Sequence, residues 1–200
     1  MARRTDDSIV DDEGFERAFT ANFRTIHQFL SRRAGSTVAD DLAAETFAIA
    51  FRRRRSFDPE RGALLPWLYG IATNLLRAHW RAEQHTLALE ARLMDEPDAR
   101  YAGVDIDDKL LASWIAPRLA RALSMLPLEQ RDVLLLYAWA DLSNEEIASA
   151  LELPSGTVRS RLSRARAKLR DYLGEFDFDR WLFADSADSA RPDSPRPAQP

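Results

Sequence analysis

Apolar residues Phe15, Phe19, Phe23, Ile26 and Leu30 recur at spacings of four, four, three and four, which is the stripe of an amphipathic helix. Gly35-Ser36 closes it. A second helical stretch spans about Val38 to Arg55, with Leu42 and Ile49 on one row, Ala43, Phe47, Ala50 and Phe51 beside it, and four arginines at its end. Phe57-Asp58-Pro59-Glu60-Arg61-Gly62 reads as a loop, because Pro and Gly interrupt helical periodicity. A third helix begins near Pro66, where the missing amide hydrogen is harmless. Leu68, Ala72, Leu75 and Leu76 form its stripe, and Trp67, Ile71 and Trp80 widen it.

From about Ala82 to Pro117 the pattern weakens under Asp95-Glu96-Pro97-Asp98, Gly103 and Asp105 to Asp108. This stretch reads as an interdomain tether with room for a helical stub at about His85 to Met94. Regular structure resumes near Ala116: Leu119, Ala122, Leu123 and Leu126 form one stripe stopped by Pro127, and Val133, Leu134 and Tyr137 belong to the next. Ser143-Asn144-Glu145-Glu146 has the capping-box form, with a serine oxygen and a glutamate able to exchange backbone hydrogen bonds. A short helix to about Leu151 follows, then a turn at Leu153-Pro154, then a helix begun by Ser155. In that last helix Val158, Leu162, Ala165 and Leu169 face one way, and every charged residue from Ser155 to Arg170 is basic.

The pattern predicts an all-α chain of two small domains, at 12–83 and 116–175, joined by an acidic linker at 84–115. A tail follows, aromatic and then disordered, at 176–200. Two hundred residues suffice for ordinary cores. No run approaches the ~18 consecutive apolar residues of a membrane span, and Met1-Ala2-Arg3-Arg4 lacks a secretory signal's apolar core. The expected location is therefore the cytoplasm, without stable membrane insertion. Absence of cysteine removes disulfides, thiol nucleophiles and thiolate zinc sites. His27, His79 and His85 form no helical pair at metal spacing, so no catalytic residue, metal or cofactor is expected.

The formal net charge of −4 conceals a segmental alternation. Residues 51–81 carry 7 basic and 2 acidic side chains, residues 82–117 carry 3 and 8, and residues 118–170 carry 9 and 6. Two basic segments flanking an acidic one suit a protein that touches a polyanion at two places. Ordinary solvated helix faces are the alternative.

A capped short helix, a tight turn and a second helix with six cations have the form of a helix-turn-helix, whose second helix enters the DNA major groove. Ser155, Thr157, Arg159, Ser160, Arg161, Ser163 and Arg164 are the candidate DNA contacts. Arginine can hold guanine through two acceptors, so Arg159 and Arg164 are the candidate base readers. Leu126-Pro127, Gln130-Arg131, Glu145-Glu146-Ile147-Ala148 and Gly156-Thr157-Val158-Arg159-Ser160-Arg161-Leu162 with Arg164-Ala165-Arg166 resemble the fourth region of bacterial RNA polymerase sigma factors of the extracytoplasmic-function class. The resemblance implies minus-35 recognition.

The first half carries a separate match. Asp40-Asp41-Leu42-Ala43-Ala44-Glu45-Thr46-Phe47 resembles the segment of that family that docks on the clamp of the polymerase's largest subunit. It implies Asp41, Leu42, Glu45, Thr46 and Phe47 as polymerase-binding residues. Asp41 and Glu45 stand one helical turn apart, able to meet cations on a partner. Phe57 to Gly62 and Pro66-Trp67-Leu68-Tyr69-Gly70-Ile71-Ala72-Thr73-Asn74 resemble the segment that recognises and melts the minus-10 element. Asn74, Arg77, Trp80 and Arg81 are its candidate DNA contacts, since strand opening needs cations for phosphates and a surface for an unstacked base. For Trp67 and Trp80, burial and base stacking stay open as alternatives, with burial favoured at Trp67. Ala78 departs from the acidic residue the family commonly has at that position.

The resemblance further implies core RNA polymerase (clamp and flap regions) and promoter DNA as partners, an anti-sigma factor as a plausible inhibitor, and no covalent chemistry. A polymerase-independent dimeric regulator lacks a visible dimerisation surface here. A hydrolase or nuclease using Asp40, Asp41, Glu45 and His79 lacks a nucleophile, base and orienting group. The aromatic tail residues Phe176, Phe178, Trp181, Leu182 and Phe183 are expected to pack on the second domain or contact a regulator.

Overall fold

Asp11 accepts the Gly14 amide at 2.7 Å and starts α1 (Asp12–Ala34), whose first turn carries Asp12 and Glu13 toward the positive end of the helix dipole. Gly35, at φ 79°, ends α1 by donating to Ser31 O at 2.9 Å, and α2 (Ser36–Arg53) starts directly after it. A single residue in a backbone region that side chains rarely adopt thus reverses the chain. The reversal is antiparallel: Phe15 pairs with Phe51 at 5.0 Å between ring centroids, Phe19 with Phe47 at 4.9 Å, and His27 meets Asp40 at 2.7 Å. A 3-10 turn (Arg54–Ser56) and a loop lead to α3 (Leu64–Ala91).

The computed structural model describes residues 9–91 and 112–173, with side chains over 9–83 and 118–173. Within these residues the chain is all-helical, as expected. Several element bounds differ from the sequence expectation, α2 among them, which runs from Ser36 to Arg53 instead of Val38 to Arg55. α3 begins at Leu64 and continues unbroken to Ala91, instead of stopping near residue 83 before a separate stub. Ala82 to Ala91 contains no Gly or Pro and mostly good helix formers, so the backbone continues although the apolar stripe fades. α4 (Ala112–Ser124) likewise begins before Ala116. Most of the acidic tether and the aromatic tail lie outside the described residues.

α5 (Leu128–Trp139), α6 (Asn144–Ala150) and α7 (Ser155–Leu173) complete the second half. Ile26, Leu30, Ala39, Ala43, Ala50, Leu68, Ala72 and Leu76 from the first half and Leu119, Val133, Leu134, Leu136, Ile147, Val158 and Leu169 from the second belong to one hydrophobic core that runs through both, all 1% exposed or less. Each Leu or Ile so placed contributes about 1.5–3 kcal/mol relative to exposure. The two halves also meet. Gly70 on α3 packs so closely on α6 that a Cβ there would overlap the Ala150 carbonyl oxygen and lie 3.1 Å from its carbon.

Candidate nucleic-acid interface

The helix-turn-helix is built from hydrogen bonds that its sequence prescribes. Ser143 Oγ accepts the Glu146 amide at 3.2 Å, and Glu146 Oε2 accepts the Ser143 amide at 2.8 Å, closing the capping box of α6. At the other end Leu153 N donates to Ala148 O at 2.9 Å and Glu152 N to Ser149 O at 3.3 Å. These two bonds define a Schellman termination, with Glu152 in the left-handed region at φ 53° where glycine is usual. Pro154 O then accepts the Thr157 amide at 2.8 Å and the first turn of α7 forms.

α7 turns Val158, Leu162, Ala165, Leu169 and Leu173 into the core. Arg159, Ser163, Arg164 and Lys168 are exposed, and Ser155, Thr157, Ser160 and Arg161 are half-buried at its edges. Ser160 Oγ donates to Thr157 O at 3.0 Å, so its hydroxyl already has a backbone acceptor. Arg166, half-buried, lies over the Tyr137 ring at 4.9 Å. The outward face therefore presents guanidinium and hydroxyl groups without an interposed carboxylate, the chemistry that meets phosphates and guanine edges.

The first-half residues are arranged differently. On α3, Asn74 and Arg81 are exposed, and Arg81 Nε donates to Arg77 O at 3.2 Å. Arg77 and Trp80 instead face the second half. Arg77 Nε donates to Asp132 Oδ2 at 2.5 Å, and Arg33 Nη2 donates to Asp132 Oδ1. Asp132 is 0% exposed and Arg33 1% at the side chain. Trp80 has the Arg33 guanidinium carbon 5.0 Å and that of Arg131 5.1 Å from its ring centroid, within cation–π range. Trp67 is half-buried against Phe57 at 5.3 Å.

Two guanidiniums share one buried carboxylate, Arg33 fully buried and Arg77 still partly exposed. Arg33 Nε and Nη1 and Arg77 Nη2 are buried without hydrogen-bond partners. Desolvation accordingly lowers the Arg33 pKa, against the opposing pull of Asp132. Nearby Tyr69, buried at 2% exposure with its ring 4.9 Å from Phe29, has its phenol pushed up to about 12 by burial, which Arg32 partly offsets.

On α2, Asp41 and Glu45 are exposed and Leu42 is half-buried, with Glu45 taking a 3.0 Å hydrogen bond from Arg52. Thr46 and Phe47 depart from the expected polymerase-binding face. Thr46 is 0% and Phe47 4% exposed; Thr46 Oγ1 donates to Leu42 O at 2.7 Å, and Phe47 packs on Phe19 and Phe23. Their positions on the inner side of α2 follow from the tight α1–α2 hairpin, which needs that row as its core.

Sequence reasoning missed Asp132 and Arg33, and took Arg131 only as part of a motif and not as a neighbour of Trp80. Asp132 does carry a signal, a lone carboxylate beside Val133-Leu134-Leu135-Leu136, but its partner Arg33 stands 99 positions away. Behind these contacts, a cleft of about 700 Å³ lies between the halves, lined by Phe57, Arg61 and Trp67 on one side and Ser149 and Glu152 on the other.

A two-part helical chain with a capped helix-turn-helix in its second part defines the class to which this architecture belongs. Residues 18–86 match the family described as Sigma-70 region 2, and residues 117–169 match Sigma-70, region 4. RNA polymerase sigma factor HrpL of Pseudomonas syringae pv. syringae is 31% identical over 163 residues, 80% of this chain and 88% of that protein. ECF RNA polymerase sigma factor SigW of Bacillus subtilis is 32% identical over 155 residues, 74% and 82% of the two chains. SigE of Mycolicibacterium smegmatis, another ECF sigma factor, is 36% identical over 141 residues, 68% of this chain; that stretch spans only about half of SigE, 52%. In the probable sigma factor RfaY of Xanthomonas campestris pv. campestris the matched share of the relative is 34%.

Among solved structures, CnrH in complex with the cytosolic domain of CnrY aligns at TM-score 0.59 and 26% identity, covering 84% of this chain and 96% of that one. The sigma factor RpoE bound to the anti-sigma factor NepR from Bartonella quintana shares the fold at TM-score 0.55 and 24% identity, over 80% and 97%. The chain belongs to the extracytoplasmic-function (ECF) family of RNA polymerase sigma factors.

Proposed function

We propose that the chain binds core RNA polymerase and directs promoter-specific transcription initiation, without catalysing a covalent step itself. α7 reads minus-35 DNA through Arg159 and Arg164, with Ser155, Thr157, Ser160, Arg161 and Ser163 contacting the backbone and groove. α3 and the loop before it recognise and melt minus-10 DNA, using Asn74, Arg77, Trp80 and Arg81. The outer row of α2, Asp41, Leu42 and Glu45, docks on the polymerase clamp, and the second half contacts the flap. The two functional units are 12–83, extended by the end of α3, and 116–175. The protein works in the cytoplasm, and no described helix is long and apolar enough to cross a membrane. An anti-sigma factor is a further expected partner, because both solved neighbours are inhibitor complexes or complexes with a second protein's cytosolic domain.

The observation that carries this reading is the division of α7 into a buried apolar stripe and an outward cationic face. Its test is transcription in vitro from a fragmented bacterial genomic library, using sigma-free core polymerase and the wild type, Arg159→Ala or Asp41→Ala chain. Specific transcripts that need both components, and that either substitution reduces, are expected. Operator-specific shifts without polymerase, and no new transcripts, would overturn it.

A further inference from the structure

We propose that the acidic and aromatic segment after α7, Gly174 to Phe183, docks back on the C-terminal turns of α7 and competes there with DNA for Arg164 and Lys168. The inference rests on the reading of α7 as the duplex-binding helix, and three observations carry it. First, the charges are complementary. From Ser155 to Arg170 the chain has six cations and no carboxylate, and the next nine residues, Asp171 to Asp179, have four carboxylates and no cation. Arg164 and Lys168 are exposed, opposite the buried row of Leu162, Ala165 and Leu169, and pair with no carboxylate among the described residues.

Second, Phe176-Asp177-Phe178-Asp179 alternates ring and carboxylate, and Trp181, Leu182 and Phe183 follow. A carboxylate offers guanidinium the paired acceptor oxygens that a phosphate does, and guanidinium planes stack on aromatic rings. The segment thus offers each cation both an ion-pair partner and a ring, beside Tyr172, which is 37% exposed at the same end of α7. Third, the segment reaches its target. Leu173 ends α7 and Gly174 follows, the residue type that most readily lets a chain reverse after a helix. At ~1.5 Å per residue, Lys168 and Arg164 lie about 7 and 13 Å before Leu173. Gly174 to Asp179 spans up to about 20 Å when extended, so its carboxylates meet these two cations and stop short of Arg159. A ligand tethered this closely acts at roughly millimolar local concentration, so individually weak contacts suffice.

Two measurements on the full-length chain test contact and competition separately. The chain contains no cysteine, so Ala184→Cys carries a single nitroxide label, and broadening of backbone amide signals reports which surface the segment visits. Broadening centred on Arg164 to Lys168, and lost when Glu175→Gln, Asp177→Asn and Asp179→Asn are combined, is expected. Broadening centred elsewhere, or unchanged by the neutralisation, would overturn the docking. Fluorescence anisotropy then follows binding to a labelled mixed-sequence duplex. The neutralised chain is expected to bind about 5-fold tighter, the gain that follows if roughly a fifth of wild-type chains have the face free. Asp105→Asn, Asp107→Asn and Asp108→Asn together remove the same charge from the linker and serve as the control. An equal gain in that control would reduce the effect to overall charge and overturn the competition, as would no gain in the neutralised chain. Transcription with core polymerase stands apart: its absence in the wild type would sink the sigma-factor reading, while the label still reports whether the segment lies on α7.

Discussion

α7 and α3 both carry arginines proposed to meet DNA, yet the protein treats them in opposite ways. On α7 the buried stripe and the cations occupy separate faces, so Arg159 and Arg164 are available as soon as the helix folds on its core. On α3 the helix is buried almost continuously from Leu64 to Thr73, and Arg77 and Trp80 stand where the two halves meet. Periodicity along one helix fixes which face points inward; it says nothing of what a distant helix lays over the other face. The face proposed to read duplex DNA is thus exposed, whereas Arg77 and Trp80, on the face proposed for unpaired bases, lie against Asp132 and Arg131.

Substitutions can break this contrast, and the largest effect is expected in the core beneath α7. Leu169→Ala, at a fully buried position, should cost about 2–5 kcal/mol in urea denaturation, through lost burial and the cavity left behind. A loss below 1 kcal/mol would mean that the stripe does not anchor the helix. Next, Arg159→Ala should weaken binding to minus-35 duplex roughly 10-fold while leaving the melting temperature unchanged, because the side chain is exposed and is proposed to read bases. Arg77→Ala should not weaken binding of the free chain to DNA, since Asp132 already occupies that guanidinium. Equal losses from the two substitutions, measured by anisotropy, would erase the distinction between the helices.

Two smaller effects test how locally the helix-turn-helix is specified. Ser143→Ala removes one side of the capping box and should lower stability by about 1 kcal/mol. Glu152→Gly should instead raise it, by a few tenths to about 1 kcal/mol, because Glu152 holds a positive φ that glycine adopts freely. Thermal unfolding checks both signs, and a destabilised Glu152→Gly chain would show that the glutamate side chain is needed in the cleft between the halves.

Local signals were legible where each depended on neighbours within about one helical turn. The Ser143–Glu146 box, the Gly35 reversal and the α7 stripe all stand where the pattern of residues puts them. The ends of α3 and α4 were not, because their stripes fade before the backbone stops being helical. The burial of Thr46 and Phe47 went unforeseen for a related reason. A match to a docking segment selects a stretch of chain, while the side of α2 that each residue occupies follows from where α1 packs.

The order of apolar, polar and basic residues was enough to determine an all-helical chain, a capped helix-turn-helix and the outward cations of α7, because helical period, capping and charge act over a few residues. Only the tertiary structure decided that Asp132 would meet Arg33 and Arg77 across 99 and 55 positions, and that Gly70 would lie against Ala150. Such contacts depend on how two packed halves come together, and no spacing along the chain encodes which buried carboxylate will face which guanidinium.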